Sequence, residues 1–157
     1  MRSAGLGPRH WLERSSAIGS ATETAKMVEA SSWLLDTSAL LALRGNEEGA
    51  DRVEELLAGP TSGTGQILAS FMTRMELSYI VRRDEGEDAA REAFRLLDGF
   101  PIEWVSCEPT ILEAAATLKA AGGLSVADSW IAATALVRGA VLVHRDPEFT
   151  PLQQIRQ

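Results

Sequence analysis

From Trp33 onward, short continuous apolar runs alternate with stretches whose apolar residues recur at helical spacing. Trp33-Leu34-Leu35 is the first run. It ends at Asp36 and predicts a strand, with a short helix over Ala39 to Leu43 behind it. Ala50, Val53, Leu56 and Leu57 mark a second helix, which Gly59-Pro60 stops. A turn-rich loop from Thr61 to Gln66 leads to the strand run Ile67-Leu68-Ala69, after which Met72, Met75, Tyr79 and Ile80 define an apolar helical stripe. Ala89 to Leu97 predicts another helix, ended by Gly99 and Pro101, and Ile102 to Val105 a third strand. A helix over Ile111 to Ala120 is closed by Gly122-Gly123. The most apolar helix, Val126 to Val137, follows it, and Gly139 precedes a last strand, Ala140 to Val143.

Strands alternating with helices at this spacing predict βαβ units and a parallel sheet. The strands are unbroken apolar runs, as a sheet covered on both faces requires. The expected fold class is therefore α/β, one three-layer α/β/α domain with a parallel sheet of four or five strands over residues 31–157. Residues 1–30 differ: they are rich in Ser, Thr, Ala and Gly, with Ser15, Ser16, Gly19, Ser20, Thr22 and Thr24, and show no sustained apolar period. They read as a flexible N-terminal extension, with Met27 an alternative start. The competing reading is a short arm that docks through Trp11 and Leu12.

Composition narrows the class without naming a function. The chain of 157 residues is 45% hydrophobic and 24% charged, values of an ordinary globular domain. Cys107 is the single cysteine, so an intrachain disulfide framework is excluded and a reducing, cytoplasmic setting is expected. No apolar run approaches a bilayer span, and no apolar segment of a secretory signal follows Arg2 and Arg9. The net charge of −7 argues against a passive nucleic-acid binder, which would neutralise phosphates with Lys and Arg. It leaves room for an enzyme whose carboxylates hold a cation, because a bound ion reverses the local sign.

The acids carry the chemistry. In a parallel α/β sheet, ligands bind beyond the carboxyl ends of the strands. Asp36 stands at one such end and Asp146 follows another, although Asp36 also fits a helix N-cap and Asp146 a turn before Pro147. Glu76 lies four residues after Met72 and three before Tyr79, on the expected apolar face of its helix, where an ionised carboxylate is costly without a partner. The alternatives are a rim position or pairing with Arg74, Arg82 or Arg83. Asp128 sits in the first turn of the most apolar helix, and Ser125-Val126-Ala127-Asp128 fits a capping box. If the four meet, each pair at about 4 Å repels by roughly 4 kcal/mol at an effective dielectric near 20. Such a cluster needs raised pKa values or a cation. Oxygen-only donors select a hard ion, Mg²⁺ or Mn²⁺.

Four segments, in this order, resemble the PIN-domain nucleases, and most closely the VapC-type toxins of bacterial toxin–antitoxin pairs. They are Leu34-Leu35-Asp36-Thr37-Ser38-Ala39-Leu40-Leu41, Arg74-Met75-Glu76-Leu77, Leu124 through Ala135 around Asp128, and Leu142-Val143-His144-Arg145-Asp146. The resemblance implies a Rossmann-like sheet and a metal-dependent ribonuclease, usually dimeric and restrained by a cognate antitoxin. Carried over by position, Asp36, Glu76, Asp128 and Asp146 are the catalytic acids, Asp36, Asp128 and Asp146 the metal ligands, and Ser38 the hydroxyl that supports Asp36. His144 departs from the pattern, since the family often has Thr or Ser there. It leaves open the hydrogen bonding around Asp146 and a contact with substrate.

On that resemblance the reaction is hydrolysis of an RNA phosphodiester, with Arg74, Arg82, Arg83 and Arg145 as candidate holders of the strand. Two further readings stand beside a toxin. One is a PIN-like RNA-processing nuclease without an antitoxin, and the other an inactive interaction module that kept the fold.

Overall fold

The computed structural model describes residues 32–59 and 65–157. The expected extension over residues 1–30, Pro60 and most of the loop before Gln66 therefore lie outside the described residues. Among those described, the elements run β1 (Ser32–Leu35), α1 (Thr37–Gly45), α2 (Ala50–Ala58), β2 (Gln66–Ser70), α3 (Phe71–Glu85), α4 (Glu87–Leu97), β3 (Ile102–Val105), α5 (Pro109–Ala121), α6 (Val126–Arg138) and β4 (Val141–Val143), then a 3₁₀ turn, Pro147–Phe149. No helix among them is long and apolar enough to cross a membrane.

All strand pairs are parallel, and the order across the sheet is β3-β2-β1-β4. Leu34 is in register with Leu68 on one side and Leu142 on the other. The unbroken apolar strands are explained by the two layers they serve. Leu34, Leu68, Val105 and Leu142 pack with Ile111, Ala115 and Leu118 of α5 and Ile131 and Ala132 of α6. Leu35 and Ile67 face the other way, onto Leu40 and Leu43 of α1, Val53 and Leu57 of α2 and Leu97 of α4. Successive residues of a strand point to opposite faces, so both must be apolar here. The three-layer α/β/α expectation holds, with four strands.

Chain direction reverses at β1: β2 and β3 build out on one side of it, and β4 returns to the other. In such sheets the switch point, here at the carboxyl ends of β1 and β4, is where ligands bind. The Asp36 N–H donates to Val143 O at 3.0 Å, which carries the pairing one residue past β1 and sets Asp36 beside the end of β4.

Two expectations needed correction. Ala140 is not in β4: Gly139, at φ 60°, ends α6 with a left-handed turn, and the Ala140 N–H donates to Ala135 O to cap the helix. The larger correction concerns α3. Its buried stripe is Thr73, Leu77 and Val81, whereas Met75 and Tyr79 are about half exposed. Counting Met and Tyr as core selected the wrong edge of the helix, because the buried face also contains a threonine.

An ion pair between a buried arginine and an exposed glutamate ties α1 to the far end of α3. Arg44, 8% exposed, donates Nε and Nη2 to the two Glu85 carboxylate oxygens at 3.1 and 2.7 Å. Arg44→Met keeps the apolar stem and removes the fork. It is expected to lower unfolding stability by about 1–3 kcal/mol in a urea titration.

Candidate active site

Each of the four acids is placed by ordinary local structure. Asp36 is the N-cap of α1: it follows the last residue of β1, has extended backbone, and accepts the Ser38 N–H at 3.0 Å. The cap and the site readings coincide, because the capping carboxylate stands at the switch point. Ser38 adds its hydroxyl to the same Asp36 oxygen at 2.6 Å and accepts the Arg145 N–H at 2.9 Å. Ser38 thus links the residue after β1 to the loop after β4.

Asp128 occupies the first turn of α6, where its N–H donates to Ser125 Oγ at 3.0 Å, the N-cap half of the expected box. Asp146 caps the 3₁₀ turn through the Glu148 N–H at 2.9 Å. Glu76 projects from the border of the buried stripe of α3, and the Thr37 hydroxyl donates to its Oε2 at 2.6 Å. It is partly buried, without the full apolar surround that the sequence pattern suggested.

Like-charge effects link Glu76 to the other acids. Burial raises the Asp36 carboxyl above the ordinary aspartate range, against the Ser38 hydroxyl and the Ser38 and Thr37 N–H groups, and Asp128 adds a like charge. Burial also raises Glu76. The Thr37 hydroxyl opposes that rise, while the charges of Asp36, Asp128 and Asp146 add to it. One glutamate feels all three aspartates. These groups act on Glu76 in α3 from the N-cap of α1, the first turn of α6 and the turn after β4.

Whether this neighbourhood suits a metal turns on its donors. Among the described residues, no group of three or more His, Cys, Asp or Glu side chains is set ready to hold an ion. Mg²⁺ does not require such a cage, since it keeps several waters and takes one or two carboxylates directly. All-oxygen donors fit a hard divalent cation, which would relieve the like-charge repulsion on Asp36 and Glu76.

His144 has a structural occupation. Its Nδ1 lies 2.8 Å from the Asp146 carbonyl oxygen and its Nε2 3.1 Å from Gln157 Oε1, and the ring meets Phe149 edge-on at 5.1 Å. It braces the loop that carries Asp146. The four arginines all have carboxylate partners: Arg74 pairs with Asp98, Arg82 with Glu87, Arg83 with Asp84 and Arg145 with Glu47. Arg74 also lies over the Phe94 and Trp104 rings. Phe71, Arg74, Met75, Tyr79, Arg82 and Phe94 line a groove of about 520 Å³ beside α3, and none of the four acids lines it.

The contact that sequence reading missed is Thr37 with Glu76. A hydroxyl in the first turn of a helix ordinarily bonds to nearby backbone, so the sequence carried no sign of a partner on α3.

A parallel α/β domain with acidic residues about its switch point belongs to the class of scaffolds that place ligands at the carboxyl ends of their strands. The PIN domain family model matches residues 33–153, and the chain belongs to that family. No curated protein sequence matches it significantly. Solved structures do. VapBC2 from Rickettsia felis, bound to a DNA fragment from its promoter, superimposes with a TM-score of 0.65 at 17% identity, covering 80% of this chain and 96% of that one. DNA-bound VapBC from Salmonella typhimurium gives 0.62 at 20% identity over 81% and 96%. VapC20 from Mycobacterium tuberculosis, described as a sarcin–ricin loop cleaving toxin, gives 0.60 at 17% identity over 79% and 98%. At these identities the likeness establishes the shared fold.

Proposed function

We propose that this PIN-domain chain is a divalent-metal-dependent ribonuclease and the toxin of a toxin–antitoxin pair. The observation that carries the reading is the field at Glu76, to which Asp36, Asp128 and Asp146 all contribute. Burial and like charge raise Asp36 and Glu76 at a cost to the fold, which a cation would offset.

Asp36, Asp128 and Asp146 would hold Mg²⁺ or Mn²⁺. When bound, the ion supplies Lewis acidity, neutralising phosphate charge and acidifying water. Glu76 accepts a proton from the attacking water as the new bond to phosphorus forms and the bond to the 3′ oxygen breaks. The 3′ oxygen takes its proton from solvent. Ser38 keeps the Asp36 carboxylate oriented through its 2.6 Å hydrogen bond and the Asp146 loop close by.

Arg145, whose N–H meets Ser38, is the arginine nearest this chemistry in the hydrogen-bond network, and it would exchange Glu47 for an RNA phosphate. Arg74, Arg82 and Arg83 would steer the strand along α3, where Phe71, Tyr79 and Phe94 offer faces for stacking. A homodimer would bring two such surfaces together. Similar folds solved as VapBC assemblies favour a protein antitoxin as the partner in the cytoplasm.

Hydrolysis by water fixes the products. RNA ends sequenced after a brief expression pulse are expected to carry 5′-phosphates and 3′-hydroxyls and to be missing with Asp36→Asn. Cyclic 2′,3′-phosphate ends would overturn the mechanism. Growth arrest relieved by a small gene encoded next to this one would separate a toxin from an RNA-processing nuclease.

A further inference from the structure

The first turn of α1 addresses two acids with two neighbouring hydroxyls. Ser38 directs both its N–H and its O–H to Asp36 Oδ2. Thr37 does something less usual: its hydroxyl crosses to another helix and donates to Glu76 Oε2 at 2.6 Å, over a sequence separation of 39 residues. Both ends of this contact are constrained. Thr37 is 6% exposed, and its β-branched side chain has few rotamers in a helix. Glu76 is partly buried on α3.

We propose that Thr37 is a positioning residue for the hydrolysis assigned above: by holding Glu76 Oε2 it leaves the other carboxylate oxygen to take the proton of the attacking water. The inference rests on Glu76 acting as the base. A hydroxyl suits the task better than a basic side chain. It donates one short hydrogen bond and adds no charge, so the carboxylate is oriented without being neutralised. An arginine in its place would lower the basicity of Glu76 and compete for the cation's ligands. The rate gain comes from a fixed geometry, since a general base works only within hydrogen-bond reach of the proton it removes.

The test is a double-mutant cycle between Thr37→Val and Glu76→Gln on the full chain, with Mg²⁺ and a defined RNA oligonucleotide. Thr37→Val is isosteric and is expected to lower kcat about tenfold with KM within about twofold. Thr37→Ser, which restores the donor, should recover most of the rate. On the Glu76→Gln background, Thr37→Val should cost nothing further, because the residue it positions no longer takes a proton.

A Thr37→Val enzyme with wild-type kcat, or losses that multiply in the double variant, would overturn the proposal. If thermal melts show that Thr37→Val does not fold, Thr37→Ala enters the same cycle with the same criteria. Glu76→Gln cleaving at the wild-type rate would instead remove the base assignment, so the two failures are distinct.

Discussion

Asp36→Asn is expected to reduce RNA cleavage by at least about a thousandfold while leaving the protein folded and slightly more heat-resistant. Both effects come from the same burial. Asp36 is 3% exposed at the end of β1, with Asp128 near enough to raise its pKa further. An amide keeps an oxygen for the Ser38 N–H and sheds the desolvated charge, so the cap survives and the repulsion falls. It also removes the anionic ligand on which binding of a hard cation depends. Parallel measurement of cleavage and unfolding midpoint separates these effects. An Asn variant that cuts RNA as fast as the parent would end the reading of Asp36 as a ligand.

The second large effect is a reversal of pH dependence by metal. Asp36 and Glu76 are both raised in the folded state, chiefly by burial. Such groups hold protons more tightly folded than unfolded. Their contribution to stability is therefore full below the ordinary carboxylate range and is lost as pH rises through the raised folded values. Without divalent metal, the unfolding midpoint should fall across that interval. With Mn²⁺ at a hundred times its dissociation constant, the folded state gains about 2.7 kcal/mol at neutral pH, roughly 5–10 °C for a domain of this size. The gain should shrink toward acid pH, where protons compete with the ion. Scanning calorimetry with and without Mn²⁺ checks this. A midpoint indifferent to Mn²⁺ at neutral pH favours the inactive interaction module.

Much of this architecture was legible because the physics is local and repetitive. Runs such as Trp33-Leu34-Leu35 and Ile67-Leu68-Ala69 announced a sheet covered on both faces, and Gly59, Gly99 and Gly139 marked where elements stop. Asp36 and Asp146 were readable as acids at strand ends because the strands themselves were. The face of α3 was harder. Its buried stripe includes Thr73 while its exposed side carries Met75 and Tyr79, so hydropathy alone points to the wrong edge. The bond from Thr37 to Glu76 depends on how two helices sit across the sheet, which no window of residues encodes. His144 was open in the sequence because its partners, the Asp146 carbonyl and Gln157, are a backbone atom and a side chain thirteen positions later.

The pairing of β4 with β1 has a bearing on when the proposed acidic site is complete. Among the described strands the last in chain order pairs with the first, and the loop that follows it then brings the Arg145 N–H to Ser38, beside Asp36. A ribosome-bound chain interrupted before β4 therefore carries three of the acids and no closed sheet to gather them. On the proposed reading as a toxin, cutting would wait until synthesis has passed Asp146, which would give a restraining partner the whole of that interval to be ready.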